Sequence, residues 1–302
     1  MNQNGKRTDL AREAVELYNE AERVSGDPDG IRSEEKQVNG MTVYTVEILN
    51  EQGAEKLSKP VGKYVTVDID ALLRHEDNAF PKAVEVIAAE LKALLPPADG
   101  EPVMVVGLGN RAVTPDALGP YAAEKIIATR HLLNQMPDSF SMLRPVTALS
   151  PGVLGMTGIE SGEIVCGVAE KVPPCALIAI DALSARRTER LCRTVQLSNA
   201  GIAPGSGVGN RRFEINRKTV GVPCIAIGVP TVVDAATLAA DILDELNAAY
   251  DAKALYEKHG QTFVTSKEID QLVSECAKVI GYAVNSAVQP ELSMEDIEMF
   301  LS

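Results

Sequence analysis

Three aspartates stand where chemistry is most easily built, just beyond apolar runs. Asp181 closes ALIAID (176–181), Asp116 follows VMVVGLG (103–109) in GLGNRAVTPDALGP, and Asp234 follows VPCIAIGVP (222–230) in VPTVVDAATLAAD. Two carboxylates at the ends of neighbouring parallel strands can face one crevice. Held close, they cannot comfortably ionise together, so one keeps a proton and the pair serves as acid and base around a water. The competing role for each is to cap the helix that follows it. That role fits Asp116 and Asp234 on spacing alone. Asp181 is harder to assign that way, because it ends a wholly apolar strand where an uncompensated charge costs several kcal/mol.

The glycine-rich loops come next. GLGN supplies Gly107, Gly109 and Asn110, and GSGVGN (205–210) supplies Gly205, Gly207 and Gly209. Glycine lets successive backbone N–H groups converge on one oxygen, so both loops are candidates to meet substrate or hold an oxyanion. Neither has the third glycine of a dinucleotide fingerprint or the Gly-Lys-Ser/Thr of a P-loop, which argues against nucleotide. SPGVLGMTGIES (150–161) is a third such junction bordering the same crevice. A metal centre has little to draw on, since the histidines are His75, His131 and His259, with no paired motif among them. No G-x-S-x-G elbow is present for serine catalysis. No cofactor is expected.

These residues need a scaffold. The runs at 103–109, 176–181 and 222–230 are continuously apolar, as expected of strands buried on both faces. Helix-like segments follow at 117–134, roughly 184–194 and 232–249. This alternation predicts an α/β three-layer sandwich with a largely parallel central sheet, whose ligand crevice lies beyond the carboxyl ends of the strands. MTVYTVEIL (41–49) and KYVTVDI (63–69) alternate with period two and read as strands. Residues 8–24 and 81–95 have helical spacing, the second with Pro81 at its first position. TSKE (265–268) reads as a capping box opening a helix to about residue 288, and SMEDIEMFLS adds a terminal one. We expect one compact domain with a small N-terminal appendage.

Composition narrows the function. The 302 residues are 45% hydrophobic, enough for a full core, with 29 Lys and Arg against 42 Asp and Glu, a formal charge of −13. Such a surface repels phosphate, so nucleic acid and anionic membranes are poor partners. Aromatic residues make up 4% and tryptophan is absent, which disfavours stacking on bases or sugars. Cys166, Cys175, Cys192, Cys224 and Cys276 form no C-x-x-C pair, and an odd count without a signal peptide points to a reducing, cytoplasmic setting.

RTDLA (7–11), GLGN, TPDALGP (114–120), TRHL (129–132), SPGVLGMTGIE, IAIDALSAR (178–186), GSGVGN and GVPCIAIGVPTVVDA (221–235) together resemble the germination protease family of spore-forming bacteria. They occur in the family's order across roughly residues 7–245, and VTSKEID (264–270) is similar to its C-terminal helix opening. The resemblance implies an endopeptidase that degrades small acid-soluble, DNA-protecting spore proteins during germination, in the cytoplasm of the forespore and in the spore core. It implies a homotetramer made as a self-processing zymogen, without direct nucleic-acid binding, and a fold similar to hydrogenase-maturation proteases. The family's two essential aspartates match Asp116 and Asp181. Processing after an acidic residue implies cleavage between Asp9 and Leu10, so that residues 1–9 form a short propeptide and 10–302 the α/β peptidase domain. The chain departs from the family in having few residues before RTDLA and a shorter stretch between about 245 and 262. Arg111 and Ala112 also replace the Trp-Asn common after Asn110. The alternatives are a metal-dependent maturation-type peptidase of the same fold, or a binding protein that retains the fold without catalysis.

Overall fold

A computed structural model describes residues 6–97, 100–203 and 213–302. Among the described residues nine strands form one mixed sheet: β1 (Ile31–Val38), β2 (Met41–Ile48), β3 (Gly62–Asp68), β4 (Val103–Gly107), β5 (Val146–Leu149), β6 (Ala176–Ala185), β7 (Thr194–Ser198), β8 (Cys224–Asp234) and β9 (Phe263–Val264). Their order is β1-β2-β3-β7-β8-β6-β4-β5, with β9 beside β8. Strands β8, β6, β4 and β5 run parallel, as the buried apolar runs require. The other pairings are antiparallel.

Helices cover both faces, giving three layers. The period-two geometry of β4 sends Val103 and Val105 to one face, Met104 and Val106 to the other. The first face packs under helices Ala79–Leu94 and Ile269–Val288, where Ile87, Leu91 and Ile280 are fully buried with Ile180 and Ile227. The second lies under helix Ser161–Lys171, with Val165 against Leu177 and Ala179. On the antiparallel half, helix Ala11–Glu22 sets Ala14 and Val15 on Val46, Ile48 and Tyr64.

Several sequence expectations need correction. The N-terminal region is no appendage, since β1 to β3 extend the main sheet through β7. Segment 184–194 is not a helix. There β6 continues through Ala185, a turn at Thr188–Arg190 follows, and β7 begins at Thr194. Segment 117–134 divides into helices Leu118–Ala123 and Arg130–Gln135. Between them the backbone is diverted: Ile127 N–H donates to Asn285 Oδ1 at 3.0 Å and Thr129 N–H to the Val146 carbonyl at 3.1 Å. Pro81 lies in the first turn, two residues after its helix begins at Ala79. The TSKE capping box does not form, because Thr265 turns its hydroxyl to the Thr231 carbonyl at 2.7 Å and the helix begins at Ile269. Among the described residues, no helix is long and apolar enough to cross a membrane.

Candidate active site

The carboxyl ends of the parallel strands open into a cleft of about 390 Å³, and both Asp116 and Asp181 line it. Asp181 lies within β6, paired in register with Gly228 of β8, and is 5% exposed. Its Oδ1 accepts the backbone N–H of Ala182 at 2.9 Å. Asp116 stands on a single tight turn, Thr114–Asp116, between β4 and helix Leu118–Ala123. It caps neither, because the helix has no side-chain cap. Instead its Oδ2 accepts the N–H of Asn110 at 2.8 Å, so the GLGN loop fixes the carboxylate. Thr231 of β8 braces the same turn by donating its hydroxyl to the Pro115 carbonyl at 2.6 Å.

The glycines divide by role. Gly109 borders the cleft with φ +113°, and a Cβ there would collide with the Asp116 carbonyl. Gly107 lies under helix Leu118–Ala123, where a Cβ would strike the Gly119 carbonyl, so it serves packing rather than substrate. Asn110 borders the cleft, but its N–H is already bound to Asp116. Gly205, Gly207 and Gly209 lie outside the described residues.

Asp234 takes the capping role. It is fully buried, its Oδ1 accepts Thr237 N–H at 2.8 Å, and it opens helix Ala235–Glu245. His75, His131 and His259 are all exposed and none lines the cleft. Cys192, Cys224 and Cys276 are buried thiols, Cys166 and Cys175 half-buried ones. Among the described residues no three His, Cys, Asp or Glu side chains are grouped so as to hold a metal ion.

The N-terminal segment occupies the far wall. Asp9 lines the cleft with Asp116 and Asp181 and also borders a second cavity of about 620 Å³. It pairs with β6 in two ways: Asp9 N–H donates to the Ser184 carbonyl at 2.8 Å, and Ser184 N–H donates to Asp9 Oδ2 at 2.9 Å. Its own carbonyl accepts from Lys59 Nζ at 2.8 Å and Gln196 Nε2 at 3.1 Å. Leu10 is wholly buried beside Leu183, Ala185, Leu191 and Val233. Burying a leucine stabilises by about 1.5–3 kcal/mol. Upstream, Arg7 pairs with Asp234 at 3.3 Å and donates to the Gly260 carbonyl at 2.9 Å, while Lys6 pairs with Asp241 and Asp244.

Sequence reasoning had no means of selecting Lys59, which sits in a polar connecting stretch. Gln196 offered one signal, a buried amide inside the apolar strand TVQLS. Ser184 acts through its backbone and leaves no mark in the sequence.

The mixed sheet is closed by helices on both faces, and Asp116 and Asp181 line one cleft at its strand ends. The profile of the germination protease family matches residues 10–259. Germination protease of Clostridium perfringens strain 13 is 43% identical over 98% of this chain and 99% of its own length. That of Clostridium tetani is likewise 43% identical, over 98% and 99%. The Priestia megaterium protein is 45% identical over 81% of this chain and 68% of its own. Among solved structures, the [NiFe] hydrogenase maturation protease HycI of Thermococcus kodakarensis is similar over 65% of this chain and 99% of its own, at 15% identity and a TM-score of 0.36. This chain belongs to the germination protease family and is a peptidase.

Proposed function

We propose that this chain is an aspartic-type endopeptidase that starts the breakdown of small acid-soluble, DNA-protecting spore proteins at germination. It is made in the forespore as a homotetrameric zymogen and removes residues 1–9 by its own activity. The observation that carries this reading is the shared cleft: Asp116 and Asp181, from two different strand ends, line it together with Asp9. A binding protein that had lost catalysis would have no need to hold two acids at one crevice.

In this mechanism one carboxylate of the pair is ionised and takes a proton from water, while its protonated partner polarises the scissile carbonyl. The tetrahedral intermediate collapses as the leaving nitrogen takes a proton. Each carboxylate is oriented by one backbone donor, Asp116 Oδ2 by the Asn110 N–H and Asp181 Oδ1 by the Ala182 N–H, and the pair shares the roles of base and acid. Substrate enters as an extended strand along β6, whose Ser184 backbone already pairs with Asp9.

The test is digestion of a purified small acid-soluble spore protein with and without a chelator. Equal rates support water activation by the carboxylate pair. Activity lost to chelator and restored by a divalent ion would replace this reading with the metal-dependent one.

A further inference from the structure

The Asp9–Leu10 peptide group is gripped on every polar atom. Two donors converge on the Asp9 carbonyl, Lys59 Nζ at 2.8 Å and Gln196 Nε2 at 3.1 Å. Gln196 cannot turn freely, because its Oε1 accepts Ala11 N–H at 2.7 Å. One amide thus spans residues 9 to 11 and fixes the carbonyl between them. The Leu10 N–H donates to Thr8 Oγ1 at 3.0 Å, and the Thr8 hydroxyl donates to Glu13. Lys59 also reaches the Thr8 carbonyl at 3.3 Å. Burial pushes the Lys59 ammonium below its ordinary value of 10.5, while the Asp9 and Glu13 carboxylates favour its charge.

Both lone pairs of the Asp9 carbonyl are thus taken by side-chain donors. A charged donor and an oriented amide on one carbonyl oxygen form the arrangement that stabilises negative charge as that carbonyl is attacked. The same residue, Asp9, borders the cleft that holds Asp116 and Asp181. We propose that Lys59 and Gln196 are catalytic residues that form the oxyanion clamp for cleavage of the Asp9–Leu10 bond and select it from its neighbours.

This rests on self-processing by the aspartate pair. Water adds to the Asp9 carbonyl carbon, giving one proton to the ionised carboxylate, and the carbonyl π pair moves onto the oxygen held by Lys59 and Gln196. When that pair returns, the carbon–nitrogen bond breaks and the Leu10 nitrogen takes the proton. The products are the α-carboxyl group of Asp9 and the α-amine of Leu10, with water as the sole co-reactant.

The experiment follows intact mass of the full chain over time for wild type, Asp116→Asn, Lys59→Met, Lys59→Arg and Gln196→Met, across pH 5 to about 10.5. Removing an oxyanion donor costs on the order of 10²–10³ in rate. The clamp predicts slowing of about that size in Lys59→Met and Gln196→Met, with their urea midpoints showing folded protein. Beyond the fall that comes as the protonated carboxyl of the pair ionises, it also predicts a further alkaline fall in the wild-type rate as Lys59 loses its proton, and this further fall is missing in Lys59→Arg. A merely structural lysine would not move that limb. If Lys59→Met does not fold, Gln196→Met and the pH profiles decide. Wild-type rates in folded Lys59→Met or Gln196→Met, or an alkaline limb unchanged in Lys59→Arg, would overturn the clamp. Cleavage of Asp116→Asn at the wild-type rate, or a wild type that is never cut at Asp9–Leu10, would instead overturn the self-processing reading and the clamp with it.

Discussion

At the scale of single residues, Asp116 is held by atoms that tolerate little change. The turn that carries it passes within contact of Gly109, whose φ of +113° belongs to the region that side chains rarely adopt. Gly109→Ala should destabilise by about 1–3 kcal/mol, because it adds backbone strain and a clash with the Asp116 carbonyl. Activity should fall further than stability, as the carboxylate moves from the Asn110 N–H. Urea unfolding and peptide turnover measured on one preparation check both. Asp181 was the easier residue to find in the sequence, since an acid closing ALIAID had no apolar justification. Asp116 was legible as a candidate but a capping role was open on spacing, and the uncapped helix together with the Asn110 hydrogen bond separates the two. Lys59 and Gln196 could not be placed beside Asp9, because they come from segments 50 and 187 residues away and meet only through the sheet.

At the scale of elements, the sequence was most informative where burial is two-sided. The runs giving β4, β6 and β8 are apolar because helices cover both faces. It was least informative where polar residues are hidden by pairing. Segment 184–194 reads as helix-like, yet its Ser184 and Arg186 are buried in extended chain, where the Ser184 backbone pairs with Asp9 and Arg186 pairs with Asp241 at 2.7–3.0 Å. Strand β1, IRSEEKQV, is rich in charged and polar residues because it is an edge strand open to solvent. The network around helix Ala235–Glu245 ties the N-terminal segment down. Burial alone would raise the Asp241 carboxyl, but hydrogen bonds from Arg186 and Lys6 hold it below the ordinary value of 3.8. A depressed acid contributes stability that is present above its unfolded value and lost as pH falls through its folded one. Wild type should therefore lose stability below about pH 3.8 more steeply than Asp241→Asn, which urea unfolding between pH 2 and 6 would reveal. Asp234→Ala removes a helix cap worth about 0.5–2 kcal/mol and the partner of Arg7, and should lower the urea midpoint and loosen residues 6–9 to added trypsin.

At the scale of the whole molecule, the charge of −13 gains a meaning that composition alone could not give it. On the proposed function, an acidic protease approaching substrate bound to DNA is repelled by the phosphates and captures that substrate mainly after it dissociates. Cleavage of DNA-bound substrate should be slower than cleavage of free substrate, and the gap should narrow as salt screens the repulsion. Equal rates at low ionic strength would remove this role for the charge. The N-terminal segment also belongs to this scale, since it reaches from helix Ala235–Glu245 across β6 to Lys59. On the proposed self-processing, this anchoring makes cleavage at Asp9–Leu10 a change in a wall of the cleft rather than the trimming of a loose end.

The most direct measurement is turnover of a purified small acid-soluble spore protein by the processed wild type and by Asp116→Asn and Asp181→Asn made as chains beginning at Leu10, with circular dichroism of each. Two folded variants whose turnover is at least about 10³-fold below wild type are the predicted result, the size expected when an acid–base partner is lost. Substantial turnover by either folded variant would contradict catalysis by the aspartate pair.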